Sequence, residues 1–138
     1  MLLVLTGCSA AVTLDEPVPT GEAVAACDRL MAALPDQLLG QVRREVSPGR
    51  YAAAWGSPTI TLRCGVERPA AMVPGVSCFT ANGVDWFPEA ADGGSIFTAI
   101  GRAALLEVRV PQRYQPPGDA LIDLAPVITA HDPDQGGC

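Results

Sequence analysis

Five cysteines, at positions 8, 27, 64, 78 and 138, constrain this chain more than any other feature of its sequence. Because five is odd, at least one thiol stands outside any set of intramolecular disulfides. The run Leu5-Thr6-Gly7-Cys8 is typical of a bacterial lipobox, in which the cysteine receives a diacylglyceryl group after cleavage just before it. The sequence therefore predicts Cys8 as a lipidation site. Four cysteines remain, which can pair in three ways.

The segment before Cys8 is short for a signal peptide. Only five apolar residues precede Thr6, and no basic residue does, whereas a signal peptide has a basic region and an apolar core of about 7–15 residues. We interpret residues 1–7 as a truncated signal peptide whose start lies upstream. Residues 8–20 are small, polar and proline-containing without any periodicity, which predicts a lipid-anchored tether. The alternative is a cytosolic protein whose apolar N terminus packs as a strand.

The pairing of the other cysteines follows from the faces on which they lie. Residues 21–34 repeat apolar side chains at helical spacing, and Cys27 lies on that stripe. Residues 59–64 alternate as a half-buried strand with Cys64 on the apolar face. Because a helix stripe and an apolar strand face share one core, we predict a Cys27–Cys64 disulfide. Cys78 and Cys138 then form the second disulfide, as expected of an exported chain.

Free thiols or a metal site are the alternatives for these cysteines. Structural zinc sites nearly always contain a closely spaced C-x₂₋₄-C pair, and the sequence has none. The single histidine, His131, has no neighbouring pair of ligands. The sequence therefore predicts neither a metal nor a cofactor.

Composition limits the class of protein. With 138 residues, 49% of them hydrophobic and 17% charged, the chain is predicted to be one globular domain over residues 21–138 rather than disordered or a coiled coil. No apolar run approaches the length of a membrane span. The net charge of −6 argues against a nucleic-acid partner, because phosphates would not be neutralised.

The remaining patterns predict an α+β fold. The dipeptide Asn82-Gly83 suits a type I′ turn, which would pair Phe79 with Trp86 across a hairpin. Further strands are expected at 41–46, 59–64, 96–100 and 106–110, with a loop at 88–95. A final helix would begin at Asp119 or Asp123 and end near residue 130, with Pro126 limiting it. We therefore expect a small antiparallel sheet of about four to five strands, with an N-terminal and a C-terminal helix packed on one face and two disulfides.

Few residues indicate chemistry. Arg63 and Arg102 are candidate anion-binding residues, since a guanidinium binds an anionic group in bidentate fashion. The alternative is a structural ion pair of either one with Asp85 or Glu107. Three acids, Asp85, Glu89 and Asp92, cluster in sequence near the Asn-Gly turn and are interpreted as a solvated loop. We assign no catalytic residue, because no nucleophile, base and orienting group occur together.

Several motifs carry a family resemblance. They include Ala54-Trp55-Gly56-Ser57-Pro58, Leu62-Arg63-Cys64-Gly65-Val66 and Asn82-Gly83-Val84-Asp85-Trp86. In order and spacing these motifs resemble the small exported proteins of high-GC Gram-positive bacteria grouped as domain of unknown function 3515, over about residues 24–130. The resemblance implies an envelope location and brings no assigned activity. The chain departs from the family mainly in its short segment before Cys8.

Together these observations favour a cell-envelope lipoprotein that is a non-enzymatic binding or interaction module. It would be held by lipid on Cys8 at the extracellular face of the membrane and would bind an envelope protein or a wall component. One alternative is an envelope hydrolase that uses the carboxylates of Asp85, Glu89 and Asp92. Another is a small-molecule carrier with a cavity in the core beneath the sheet.

Overall fold

The computed structural model describes residues 10–138, so Cys8 and the predicted signal peptide lie outside the described residues. The described elements, in chain order, are β1 (Val12–Thr13), α1 (Glu22–Ala33), β2 (Gln37–Leu38), β3 (Gln41–Arg44), β4 (Val46–Ser47), β5 (Ala52–Trp55), β6 (Ile60–Cys64), β7 (Phe79–Ala81), β8 (Val84–Ala91), β9 (Gly94–Ile100), β10 (Leu106–Pro111) and α2 (Gly118–His131). The protein is therefore α+β, as expected. No described helix has both the length and the apolar character needed to cross a bilayer.

The main sheet has eight strands in the order β2-β3-β5-β6-β10-β9-β8-β7, and every neighbouring pair is antiparallel. A second, two-stranded sheet pairs β1 with β4 in parallel. The prediction of about four to five strands was wrong. One reason is β5, whose four residues are all buried, so that the strand shows no alternation of apolar and polar side chains.

Strands β7, β8 and β9 form two hairpins, of which the sequence predicted the first and missed the second. The turn at Asn82-Gly83 is confirmed: both residues have positive φ, and Phe79 pairs with Trp86. The predicted loop at 88–95 was wrong, because β8 and β9 continue to a tight turn at Asp92 and Gly93. Pro88 fits within β8 because the short β7 does not reach it. Proline has no backbone N–H group, and it is tolerated where a strand has no neighbour to which that group would donate.

Both helices differ from their predicted positions. Helix α1 runs from Glu22 to Ala33 and follows β1 rather than opening the fold. Helix α2 begins at Gly118, earlier than either predicted cap, and it contains Pro126 in its interior. The apolar stripe of α2 is buried on both sides of the proline, and this packing offsets the lost backbone hydrogen bond. The buried α2 residues are Ala120, Leu121, Leu124, Ala125 and Ile128.

The core lies between the helices and one face of the sheet. Helices α1 and α2 contact each other, and their buried residues join one cluster with Trp55, Leu62, Trp86 and Val108. The two disulfides have the predicted pairing: Cys27–Cys64 with a Cα–Cα distance of 5.6 Å and Cys78–Cys138 with 6.4 Å. Cys27 and Cys64 are fully buried, so the first disulfide ties α1 to the centre of the sheet inside the core.

Candidate functional site

The sheet face that points away from the helices, here called the open face, carries an ion pair at its centre. Arg63 of β6 and Glu107 of β10 are direct partners in the ladder. The Arg63 Nε lies 3.0 Å from Glu107 Oε1 and Nη2 lies 2.9 Å from Oε2, a bidentate arrangement. Hydrogen bonding to Glu107 raises the pKa of Arg63 above its usual value, against the opposing effect of partial burial. The ion-pair alternative for Arg63 is therefore the arrangement present in the structure.

Residues 10–20, here called the strap, lie along this open face. The Val12 N–H donates to Glu45 O at 2.8 Å, and the Tyr51 N–H donates to Glu16 Oε1 at 2.6 Å. The guanidinium of Arg63 also donates to the backbone oxygen of Asp15, at 3.1 Å. The segment predicted as a tether thus packs on the domain over its described part, whereas anchorage through Cys8 stays a prediction.

Gly65 permits the closest approach of the strap. The residue has a φ of +89°, and a Cβ atom at this position would lie 2.5 Å from Pro19 Cβ. Pro19 is itself buried. A side chain at residue 65 would therefore meet both an unfavourable backbone conformation and the strap.

We expect Gly65→Ala to destabilise the protein by about 1–3 kcal/mol, because the backbone would be strained and Pro19 would have to move. Urea unfolding of the variant beside the unmodified chain measures this loss. Gly83→Ala is a control for backbone strain alone, because Gly83 has a φ of +82° but a Cβ atom there would have no neighbour within 4 Å. Equal losses in the two variants would show that contact with the strap contributes nothing.

Two grooves, here called the strap grooves, lie beside the strap and share Arg63 and Glu107. One has a volume of about 440 Å³, and its lining includes Val18, Glu67, Glu89 and Ile96. The other has a volume of about 360 Å³, and its lining includes Thr13, Asp15, Thr61 and Arg109.

The grooves contain charges that the protein leaves uncompensated. Arg109 is exposed and forms no ion pair with any residue from 10 to 138, and the carboxylates of Glu67 and Glu89 likewise have no ion-pair partner in that range. The strap grooves thus present both signs of charge beside apolar walls. Such a surface complements a partner that carries cationic, anionic and apolar groups together.

Arg102, the other candidate anion-binding residue, binds the segment after α2 and the β7–β8 turn. Its Nη1 donates to Asp132 O at 3.0 Å, and its Nη2 donates to Gly83 O at 2.8 Å. An external anion at Arg63 or Arg102 would have to displace internal hydrogen bonds. Anion binding by either residue stays a prediction.

Asp132 is the most unusual charged residue of this region. It is fully buried, its Oδ1 accepts a hydrogen bond from the Ala104 N–H at 2.9 Å, and its Oδ2 has no partner among the described residues. Burial raises the pKa of Asp132 from 3.8 to about 6, and the hydrogen bond from Ala104 and the charge of Arg102 partly offset this rise. Sequence reasoning missed this residue, since nothing in the Pro- and Gly-rich tail distinguishes it from the exposed Asp134.

The structure does not bring the three acids of the predicted cluster together. Asp85 holds the C terminus, because its Oδ2 accepts from the Cys138 N–H at 2.9 Å. Glu89 lines a strap groove, and Asp92 lies exposed in the β8–β9 turn. Asp85 and Glu89 are four residues apart on one strand, which separates them by about 13 Å. Glycosidase carboxylates are about 5–9.5 Å apart, so this pair does not have that geometry.

The cysteines and His131 show no metal-site arrangement within residues 10–138. Four of the cysteines are paired in disulfides, and no three side chains of His, Cys, Asp or Glu in this range converge as candidate ligands. His131 ends α2, and its backbone oxygen accepts from Arg29 at 3.4 Å.

Comparison with known proteins gives one family. A family model described as "Protein of unknown function (DUF3515)" matches residues 6–136, nearly the whole chain, and so confirms the resemblance seen in the sequence motifs. No curated protein and no solved structure matches the chain.

Proposed function

Since the chain belongs to the DUF3515 family, whose function is unknown, we propose that it is a cell-envelope lipoprotein that acts as a non-enzymatic binding module. In this proposal, lipid on Cys8 holds the domain at the extracellular face of the membrane. The strap grooves bind an envelope protein or a wall component. The observation that carries the proposal is the buried Cys27–Cys64 disulfide in a chain that also has a lipobox-like Cys8.

The disulfides support the compartment. Disulfides persist in oxidising compartments and are rare in the cytosol. The sulfur atoms of Cys27 and Cys64 are bonded to each other inside the core, and two reduced thiols would need a larger separation than the bonded sulfurs have. An exported chain forms such a bond as it folds, and the remaining thiol, Cys8, is then free to receive lipid.

The strap grooves support binding rather than catalysis. They offer the guanidinium of Arg109 and the carboxylates of Glu67 and Glu89 next to apolar side chains such as Val18 and Ile96. A peptide segment of a partner protein or of the cell wall carries complementary groups. The hydrolase alternative is not supported by the positions of its three acids. Asp85 binds the C terminus, Glu89 lines a groove further along the same strand, and Asp92 lies exposed in the β8–β9 turn.

The location is tested by the intact mass of the protein taken from the membrane fraction of its own host. We expect a mass with lipid on Cys8 and without residues 1–7, and no reaction of the other four cysteines with an alkylating agent under denaturing conditions. Reduction before alkylation is the control, since it should expose all four thiols. A retained Met1 with reactive thiols would contradict the proposal.

The binding role is tested by a photo-crosslinking amino acid placed at Ile96, which lines a strap groove. The matched control is the same amino acid at Ile122, which is 44% exposed on α2 and remote from the grooves. In intact cells we expect a discrete crosslinked species from position 96 only, and we expect Arg109→Gln to reduce its yield. Equal yields from both positions would overturn the assignment of the grooves.

A further inference from the structure

The larger of the two strap grooves has an excess of negative charge. The charged residues in its lining are Arg63, Glu67, Glu89 and Glu107. Glu107 neutralises Arg63 through the bidentate ion pair, so the carboxylates of Glu67 and Glu89 remain without an ion-pair partner between residues 10 and 138. The groove therefore attracts a cation and repels an anion.

The neighbouring charges do not reverse this sign. Arg109 and Asp15 both line the smaller strap groove, where their charges are equal and opposite. Arg68 follows Glu67 in the chain, but it lines a separate groove next to Met72. Even when Arg68 is counted, the acids around the strap grooves outnumber the arginines by four to three.

Apolar side chains form the walls between the two free carboxylates. Glu89 lies on β8, directly opposite Ile96 of β9, whereas Glu67 lies in the segment that follows β6. Val18 of the strap is 84% exposed and lines the same groove, as does Val66. A groove of about 440 Å³ with such walls accommodates an aliphatic chain that ends in a cation.

Thr98 adds a polar group on the same side of the sheet. It lies opposite Glu107 and Phe87 in the ladders, so its side chain points to the open face. The residue is fully buried, and its Oγ1 has no hydrogen-bond partner within the described part of the chain. Buried hydroxyl groups are nearly always hydrogen-bonded. Thr98 and Glu89 are diagonal neighbours on adjacent strands, about 7–8 Å apart, so one donor group between them is within reach of both.

We propose that the larger strap groove binds a lysine side chain of the partner. The aliphatic stem lies between Val18 and Ile96, and the three N–H donors of the ammonium group are shared among the carboxylates of Glu67 and Glu89 and the hydroxyl of Thr98. A guanidinium group fits less well, because its donors lie in one plane and match a single carboxylate. This inference rests on the proposed binding function and gives the partner a chemistry, namely a peptide segment that presents a lysine.

The test measures the binding of Nα-acetyl-lysine-N-methylamide, the lysine probe, to the ¹⁵N-labelled full chain with both disulfides formed. We expect the lysine probe to shift the amide resonances of residues 66–67, 89 and 96–98 and to leave those of residues 118–131 unchanged. The Nε-acetylated probe keeps the aliphatic stem but loses the charge, and it should bind at least about tenfold more weakly. The arginine counterpart should also bind more weakly. Equal binding of either counterpart would overturn the proposal.

Variants of the chain locate the site. Glu89→Gln should weaken binding of the lysine probe by about tenfold without changing the weaker binding of the Nε-acetylated probe. Asp92→Asn is the matched control, because Asp92 carries the same charge three residues further along but lines neither strap groove. Thr98→Val should also weaken binding of the lysine probe and should keep a folded spectrum, since valine has nearly the shape of threonine. An unchanged affinity in Glu89→Gln or in Thr98→Val would contradict the site.

The outcomes separate this inference from the proposed function. If position 96 crosslinks a partner in cells but the lysine probe binds no better than its neutral counterpart, the lysine site is overturned and the binding module stands. If the lysine probe binds through Glu89 but position 96 captures nothing, the lysine site stands and its assignment to an envelope partner is overturned.

Discussion

Replacement of Cys27 and Cys64 together by alanine is expected to lower the free energy of unfolding by about 4 kcal/mol or more. The disulfide closes a loop with a sequence separation of 37, which contributes about 4 kcal/mol through the entropy of the unfolded chain. Both residues are fully buried, so the lost sulfur atoms also leave a cavity in the core. Since domains of this size are stable by about 5–15 kcal/mol, urea unfolding should show a variant close to its limit.

The matched control is Cys78→Ser with Cys138→Ser. Its loop, with a sequence separation of 60, gives a chain-entropy contribution that is also about 4 kcal/mol. Cys138 is exposed and Cys78 is half-buried, however, so this variant removes no fully buried side chain from the core. We expect the core variant to be the less stable of the two. The opposite order would mean that burial of the Cys27–Cys64 disulfide adds nothing to the entropy effect.

Asp132→Asn is expected to flatten the pH dependence of stability. The folded-state pKa of Asp132 is raised from 3.8 to about 6, so the native state binds the proton more tightly than the unfolded state does. The resulting stabilisation is fully present below about pH 4 and is lost as the pH rises through about 6. A shift of about two units corresponds to up to about 3 kcal/mol. Urea unfolding of both proteins at pH 4 and pH 7.5 measures the difference.

The pH slope of this variant is more informative than its absolute stability. The side-chain amide introduced by the substitution would occupy the place of Oδ2, which has no hydrogen-bond partner among the described residues. The resulting change in the free energy of unfolding is the same at both pH values and therefore cancels in the comparison of slopes. Asp134→Asn is the control, because Asp134 is exposed two residues further on. We expect its pH profile to follow that of the unmodified protein. Parallel profiles for all three proteins would show that Asp132 does not titrate as described.

The sequence predicts those elements whose signals are local. The stripe that contains Cys27 and the alternation that leads to Cys64 are sufficient to place one disulfide, and the positive φ required by Asn82-Gly83 sets the register of a hairpin. Each of these patterns depends on residues that lie close together in the sequence, within one helix, one strand or one hairpin. For this reason they could be recognised without knowledge of the rest of the fold.

Other elements depend on contacts between distant segments. Strand β5 is buried on both faces because the strap and its surroundings cover the open face. No pattern in the local sequence predicts this burial. Pro88 suggested a loop, yet β8 accommodates it because β7 is short. The sequence leaves Asp85 and Glu107 as alternative ion-pair partners of Arg63. Only the β6–β10 register, which places Glu107 opposite Arg63, decides between them. The strap grooves depend on the same long-range arrangement.

That β6–β10 register divides the chain into two halves. Residues up to 65 contain α1, the ladders from β2 to β6 and the Cys27–Cys64 disulfide, whereas residues from 78 contain the ladders from β7 to β10, α2 and the Cys78–Cys138 disulfide. Each half is therefore a covalently closed unit of one helix, one meander and one disulfide. A peptide-bond break between 66 and 77 would cut no disulfide and no ladder of the main sheet. The two fragments would then be held together by non-covalent contacts alone, among them the central strand pair, the ion pair across it, the packing of the helices and the hydrogen bond from the Tyr114 hydroxyl to Pro58 O.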